Sequence, residues 1–201
     1  MQLLANTTSP FMRIARIAMI ERGLDPEPTL VDPWADDPRL REANAATRVP
    51  TLITDSGIPL SESLLIVMWL ERRFPQAPSL LGQGEQTEGI LSRAGIAIGV
   101  IEAATITIIT RKVTAPVLFD DTPVGLRRRR TMAEGIARLE AQADALGCQP
   151  HPTLDDVAAV VALDYLRFRF PDAAWLPPLP KLDALSARLR QRASFAKSMP
   201  R

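Results

Sequence analysis

The 201-residue sequence holds one cysteine, one histidine and one tyrosine. With Cys148 alone, an internal disulfide and a cysteine-rich zinc site are both excluded. With His151 alone, histidine-based metal clusters are excluded, and any serine–histidine–carboxylate triad would have to use that one residue. Charge of one sign is also lacking: 24 Lys and Arg stand against 23 Asp and Glu, a formal net charge of +1. That balance speaks against a nucleic-acid partner and against an anionic membrane surface. Long apolar runs are missing as well. Ile96–Ile109 is broken by Gly99, Glu102 and several threonines and falls short of the ~20 residues of a membrane span. In the opening stretch Arg13, Arg16, Glu21 and Arg22 interrupt the apolar residues, so no secretory leader is expected and the cytoplasm is the expected location. No fixed-period repeat or low-complexity tract is visible. What is present is 46% hydrophobic and 23% charged residues, ordinary proportions for a chain that buries a core, which excludes disorder over most of its length. Its length suits one large domain or two small ones. The chemistry is left to hydroxyls, carboxylates, arginines and backbone.

Two regions read differently. Residues 1–74 alternate short apolar runs with helical patterns. Gln2–Ala5 is a strand candidate that ends in the polar loop Asn6-Thr7-Thr8. Ser9-Pro10 then predicts a helix start, with Ser as N-cap and Pro at the first helical position. Phe11, Ile14, Ala15, Ala18 and Met19 follow as an apolar stripe, and Gly23 suits the far end. Pro28–Val31 predicts a second strand, Pro38–Ala45 a short helix, and Val49–Leu60 a hairpin around Asp55-Ser56-Gly57. Ser61 is expected to cap a helix through Phe74, with Leu64, Leu65, Met68 and Trp69 facing inward. Pro75–Gln86 reads as a linker. Beyond it only helical patterns follow, over 84–118, 123–147, 153–170 and 181–193. This order implies an α/β domain joined to a helical domain.

Several places could carry chemistry. The loop Asn6-Thr7-Thr8-Ser9-Pro10 puts three hydroxyls between a strand end and a helix N-terminus, where free N–H groups and the helix dipole favour an anion. A hydroxyl there can donate to a thiolate and lower its pKa; Ser9 can also simply cap the helix, and the two roles coexist. Val49-Pro50 forces an extended residue before the proline and is a place where a cis peptide can occur, which would present the Val49 backbone to a ligand; from the residues alone an ordinary trans proline at a strand start is the expected reading. Ser61-Glu62-Ser63 sits at another helix start, where Ser63 offers a hydroxyl and N–H to a carboxylate or serves only as part of a cap. Thr153-Leu154-Asp155-Asp156 reads as a structural cap, with Thr153 as N-cap and Asp156 at N3. Arg127–Arg130 spread around a helix and read as a solvated face. Thr105, Thr107 and Thr110 lie in an apolar helix and read as core with a slight polar lining. Cys148 and His151 flank Pro150 without a partner in sequence, and no role is assigned to them.

The order and separation of these motifs resemble a cytosolic glutathione transferase over essentially the whole chain. Ser9-Pro10-Phe11 follows the first strand and Arg48-Val49-Pro50-Thr51-Leu52 comes about forty residues later. Ser61-Glu62-Ser63 follows a short hairpin, and a Thr-x-x-Asp helix start lies far downstream. Ser194-Phe195-Ala196 near Pro200 is similar to the family too, and Leu163–Arg169 resembles a bacterial branch of it with a serine-type Ser-Pro-Phe motif. The resemblance implies a thioredoxin-like N-terminal domain over 1–75 that holds glutathione, a linker over 76–86, and an all-α domain over 87–201 that supplies the second-substrate pocket. It places thiolate stabilisation on Ser9, with Thr7 and Thr8 as competitors. Arg48 would hold a glutathione carboxylate, Val49 beside Pro50 would pair its backbone with the cysteinyl part, and Glu62 and Ser63 would receive the γ-glutamyl end. Thr7, Thr8, Phe11 and Thr105 are the candidates for pocket walls.

The only tyrosine is Tyr165, which excludes the tyrosine-type classes, and the N-terminal region has no cysteine for a cysteine-type thioltransferase. About thirty residues after Glu62-Ser63, where several classes carry an acid, the sequence reads Ala94-Gly95-Ile96-Ala97-Ile98. The implied activity is attack of glutathione thiolate on a small hydrophobic electrophile, or reduction of a peroxide or mixed disulfide. Glutathione is then a co-substrate and no other cofactor is expected. Lowering a thiol pKa from about 8.5–9 towards about 6–7 raises the thiolate fraction at neutral pH. A homodimer is implied by the resemblance and by the excess apolar surface of the helix between residues 90 and 109. The alternative is a non-catalytic glutathione-transferase-like binding or interaction protein, since a fold does not guarantee its chemistry.

Overall fold

A computed structural model describes residues 1–116 and 118–200. Val117, inside the helix predicted over 84–118, and Arg201, at the end of the expected helical domain, lie outside the described residues. The chain forms two compact units: Met1–Ser79 together with the segment from Arg190 onward, and Leu80–Leu189. Residues 190–200, assigned from sequence to the helical domain, thus pack with the first unit.

The first unit is built on strands β1 (Gln2–Ala5), β2 (Thr29–Leu30), β3 (Thr51–Ile53) and β4 (Pro59–Ser61), in the order β2-β1-β3-β4. β2 runs parallel to β1, while β3 and β4 are antiparallel to their neighbours. Leu4 pairs with Thr51 and Thr51 with Ser61, so the chain leaves β1, enters β3 and leaves β4 at one end of the sheet. Helix α1 (Pro10–Ile20) begins as the sequence predicts. Ser9 is its N-cap, Pro10 opens it, and Ile14, Ala15, Ile17, Ala18 and Met19 are buried. α2 (Pro38–Ala43) is capped by Asp37, whose carboxylate accepts from the Arg39 N–H.

Helix α3 (Ser63–Arg73) differs from the prediction in two ways. Its N-cap is Glu62, because Ser61 is the last residue of β4. Its buried side is Ser63, Ile66, Val67 and Leu70, whereas Leu64, Leu65 and Met68, expected inside, are exposed at 37%, 54% and 57%. Residues 64–70 are apolar without a break, so periodicity has no polar face to read, and contact with α1 and the sheet chooses the side. The C-terminal segment, with α8 (Ala193–Ala196), lies on α1 and buries Phe195 completely.

The second unit contains α4 (Gln86–Thr114), α5 (Pro123–Ala141), α6 (Leu154–Arg169) and α7 (Pro180–Leu189), with 3-10 turns at Phe119–Asp121 and Ala143–Ala145. Among the described residues it has no strand. α4 ends at Thr114, before the extended residue Ala115 that Pro116 demands. By length and composition α4 could cross a membrane; here it packs against α5 and α6. Gly135 of α5 permits this approach, since a Cβ there would stand 2.5 Å from the Val100 Cγ2. α6 is the central helix, and every residue from Leu154 to Leu166 is buried.

Two carboxylates inside that helix are fully accounted for. Asp155 accepts from the Arg93 Nε of α4 at 2.7 Å. Asp156 accepts from the Thr153 N–H and hydroxyl, both at 2.9 Å, and from the Gly147 N–H at 2.6 Å. The Thr153–Asp156 pair therefore closes the expected capping box.

Candidate functional site

The shared end of the sheet gathers three of the sequence-predicted segments. After β1, Asn6 organises the hydroxyl loop. Its Oδ1 accepts from the Thr8 N–H at 3.0 Å and from the Thr8 hydroxyl at 2.8 Å. The Thr8 proton is thereby engaged. The half-buried Ser9 Oγ accepts from the Met12 N–H at 3.2 Å, and among the described residues no group accepts the Ser9 hydroxyl proton. Ser9 thus keeps a donor at the positive end of α1. Thr7 is exposed and Phe11 half-buried.

Before β3, the Val49–Pro50 peptide is cis. Val49 is half-buried against Leu4, Val31 and Leu40, Pro50 is buried, and Arg48 is exposed. The carbonyl of Arg48 accepts from Asn44 Nδ2 at 3.2 Å and from Thr51 Oγ1 at 2.8 Å, and Asn44 Oδ1 accepts from the Ala46 N–H at 3.0 Å. Asn44, itself buried, is the residue that shapes this loop, and the sequence reading missed it. The sequence predicts a helix over Pro38–Ala45 with Asn44 inside it; the helix ends at Ala43 with Asn44 as its C-cap, an asparagine being a common turn former with no distinguishing mark.

After β4, Glu62 adopts φ 67°, a left-handed conformation that costs a non-glycine residue about 1–3 kcal/mol. Its carboxylate meets Arg48 Nη1 at 3.2 Å, with both side chains largely in solvent. Ser63 opens α3, and its hydroxyl has no hydrogen-bond partner among the described residues. One end of the sheet therefore presents a hydroxyl donor at a helix start, an arginine beside a glutamate, and a serine at a second helix start. This set can take a ligand that carries a thiolate, a carboxylate and an ammonium.

Other candidates fall elsewhere. Thr105 is in the second unit, where its Oγ1 is buried without a partner among the described residues, whereas Thr107 donates to the Ala103 carbonyl at 2.8 Å. Arg127–Arg130 do not converge. Arg129 turns to the Asp120 carbonyl at 3.4 Å, and Arg127 and Arg130 are exposed. Cys148 and His151 are exposed, with the Cys148 thiol on the Asp144 carbonyl at 3.2 Å.

A small mixed sheet with helices, followed in the chain by an all-helical unit, defines a thioredoxin-like domain plus an all-α domain. The chain belongs to the glutathione S-transferase superfamily: the family's N-terminal domain matches residues 3–78 and its C-terminal domain residues 114–188. It is 27% identical over 203 residues to the uncharacterized GST-like protein YibF of Escherichia coli (strain K12), covering 100% of this chain and 98% of that one. Among solved structures it is similar to a glutathione S-transferase from Methylobacterium radiotolerans in complex with glutathione sulfonate. That match has 30% identity and a TM-score of 0.86, and covers 99% of this chain and 94% of the other. It is also similar to one from Methylobacillus flagellatus with glutathione bound, at 26% identity and TM-score 0.87, over 100% and 99% of the two chains.

Proposed function

We propose that the protein is a glutathione transferase in which Ser9 stabilises the glutathione thiolate for attack on a small hydrophobic electrophile. The observation that carries this reading is the sheet register, which brings Ser9, Arg48-Val49-Pro50 and Glu62-Ser63 to one end. The bound glutathione and glutathione sulfonate of the two bacterial relatives support it. In this reading Arg48 takes a ligand carboxylate, the Val49 backbone pairs with the cysteinyl part, and Glu62 and Ser63 take the ammonium and carboxylate of the γ-glutamyl end.

The Ser9 proton donates to sulfur while its Oγ keeps the Met12 N–H, so capping and thiolate stabilisation operate together. A charge-assisted bond and the α1 dipole favour the thiolate over the thiol. The protein is proposed to act as a homodimer, because Leu64, Leu65 and Met68 leave an apolar face on α3 that a second copy would cover.

Calorimetry with millimolar glutathione and an aryl-halide conjugation assay test the reading together. Heat of binding with conjugation supports it. Heat without conjugation or peroxide reduction supports a binding protein instead, and no heat with no thermal shift overturns both.

A further inference from the structure

Arg13 is a buried cation that the proposed chemistry does not use. It sits in the first turns of α1 with 3% exposure, and its backbone N–H makes the helical bond to the Ser9 carbonyl at 3.1 Å. A buried charge needs partners to hold it, and the first turn of a helix, at the positive end of its dipole, supplies none for a cation. The guanidinium reaches across to the C-terminal segment, with Nε donating to Ser198 Oγ at 3.4 Å and Nη2 to Met199 Sδ at 3.2 Å. Ser198 in turn donates to the Phe195 carbonyl at 3.2 Å. At the other end of α1, Glu21 accepts from Arg192 at 2.7 and 3.0 Å and from Ser194 at 2.5 Å. The segment is thus tied to both ends of the helix that carries Ser9.

We infer that Arg13 is a positioning residue for Ser9: by tying the first turn of α1 to residues 198–199, it holds the Ser9 hydroxyl where it donates to the ligand sulfur. The inference rests on the glutathione reading. In this role Arg13 acts through the Ser9 turn and not on the ligand. The Glu21–Arg192 tie, at the far end, adds stability without setting that turn.

The test compares Arg13→Met, Arg13→Lys, Ser198→Ala and, as the far-end control, Arg192→Met. One readout is the thiolate absorbance of saturating glutathione against pH. The other is hydrogen exchange of the Met12 and Arg13 amides, which bond to Ser9. Arg13→Met should raise the bound-thiol pKa by about half to one unit and speed exchange at both amides, with glutathione affinity at pH below the bound-thiol pKa changed less than about twofold. Ser198→Ala should shift both the same way by less, and Arg13→Lys should restore most of the wild-type titration. Arg192→Met should lower the melting temperature and leave the titration in place. A wild-type titration that neither Arg13→Met nor Ser198→Ala moves overturns the inference alone, as does an equal shift in Arg192→Met. Wild-type protein with no bound-thiol titration overturns the glutathione reading and this inference with it.

Discussion

Ser9, Thr7 and Thr8 are indistinguishable by residue type, and their neighbours separate two of them. Thr8 gives its proton to Asn6, whereas the Ser9 Oγ only accepts from the Met12 N–H. Ser9→Ala should remove one charge-assisted hydrogen bond, worth about 1.5–3 kcal/mol, and raise the bound-thiol pKa by roughly one to two units. Thr8→Val should leave that titration unchanged, and thiolate absorbance against pH measures both. At Arg48 the exposed pair with Glu62 contributes little by itself, as surface ion pairs do. Arg48→Ala should therefore leave the melting temperature nearly unchanged and weaken glutathione binding about tenfold, as calorimetry would show. Both residues could be named from sequence because their motifs are local. Asn44 and Arg13 could not, because their partners lie across a loop and at the far end of the chain.

Elements show the same division. The start of α6 could be read from Thr153 and Asp156 alone, since a capping box is closed by residues three apart. What burial does to that box is a tertiary effect. Burial raises the Asp156 pKa above the ordinary carboxylate value, the Asp155 charge pushing the same way and the bonds from Thr153 and Gly147 opposing. Native Asp156 therefore takes up a proton more readily than the unfolded chain. Between the unfolded value of about 3.9 and its raised native value, its contribution to stability grows as pH falls. Denaturant unfolding across that window should show this rise in wild-type protein and not in Asp156→Asn. The same variant should be destabilised at neutral pH by about 1–3 kcal/mol, because its amide must point N–H groups at either Thr153 or Gly147. Asp120 behaves oppositely, since the hydrogen bond from Arg111 lowers its pKa. Its contribution is present above about 3.9 and is lost as pH falls through its lowered native value. The buried side of α3 was misread for a plain reason: a helix apolar on several faces has a direction only once its neighbours exist.

At the scale of the whole molecule, the match to the family's N-terminal domain falls in the first unit and the match to its C-terminal domain in the second. The apolar face of α3 turns the proposed dimer into a measurable claim. Light scattering at micromolar concentration should give about twice 22.1 kDa, and Met68→Glu or Leu65→Glu should give 22.1 kDa with α/β and helical content retained. A wild-type mass of 22.1 kDa at all concentrations would show that the face stays in solvent.

The sequence by itself determined what depends on neighbours within a few residues: the strand–helix order, the caps at Ser9 and Thr153, the turn at Gly57, and the division into an α/β and a helical part. It also supplied the order of the Ser-Pro-Phe, Arg-Val-Pro and Ser-Glu-Ser motifs on which the resemblance to glutathione transferases rests. Only the tertiary structure decided which of these motifs meet, through the Leu4–Thr51–Ser61 register. It alone showed that residues 190–200 belong with α1 and that Leu64, Leu65 and Met68 face outward. The reason is physical: caps, turns and periodicity are written in bonds that span three or four residues, whereas register and the choice of buried face follow from which surfaces lose water together.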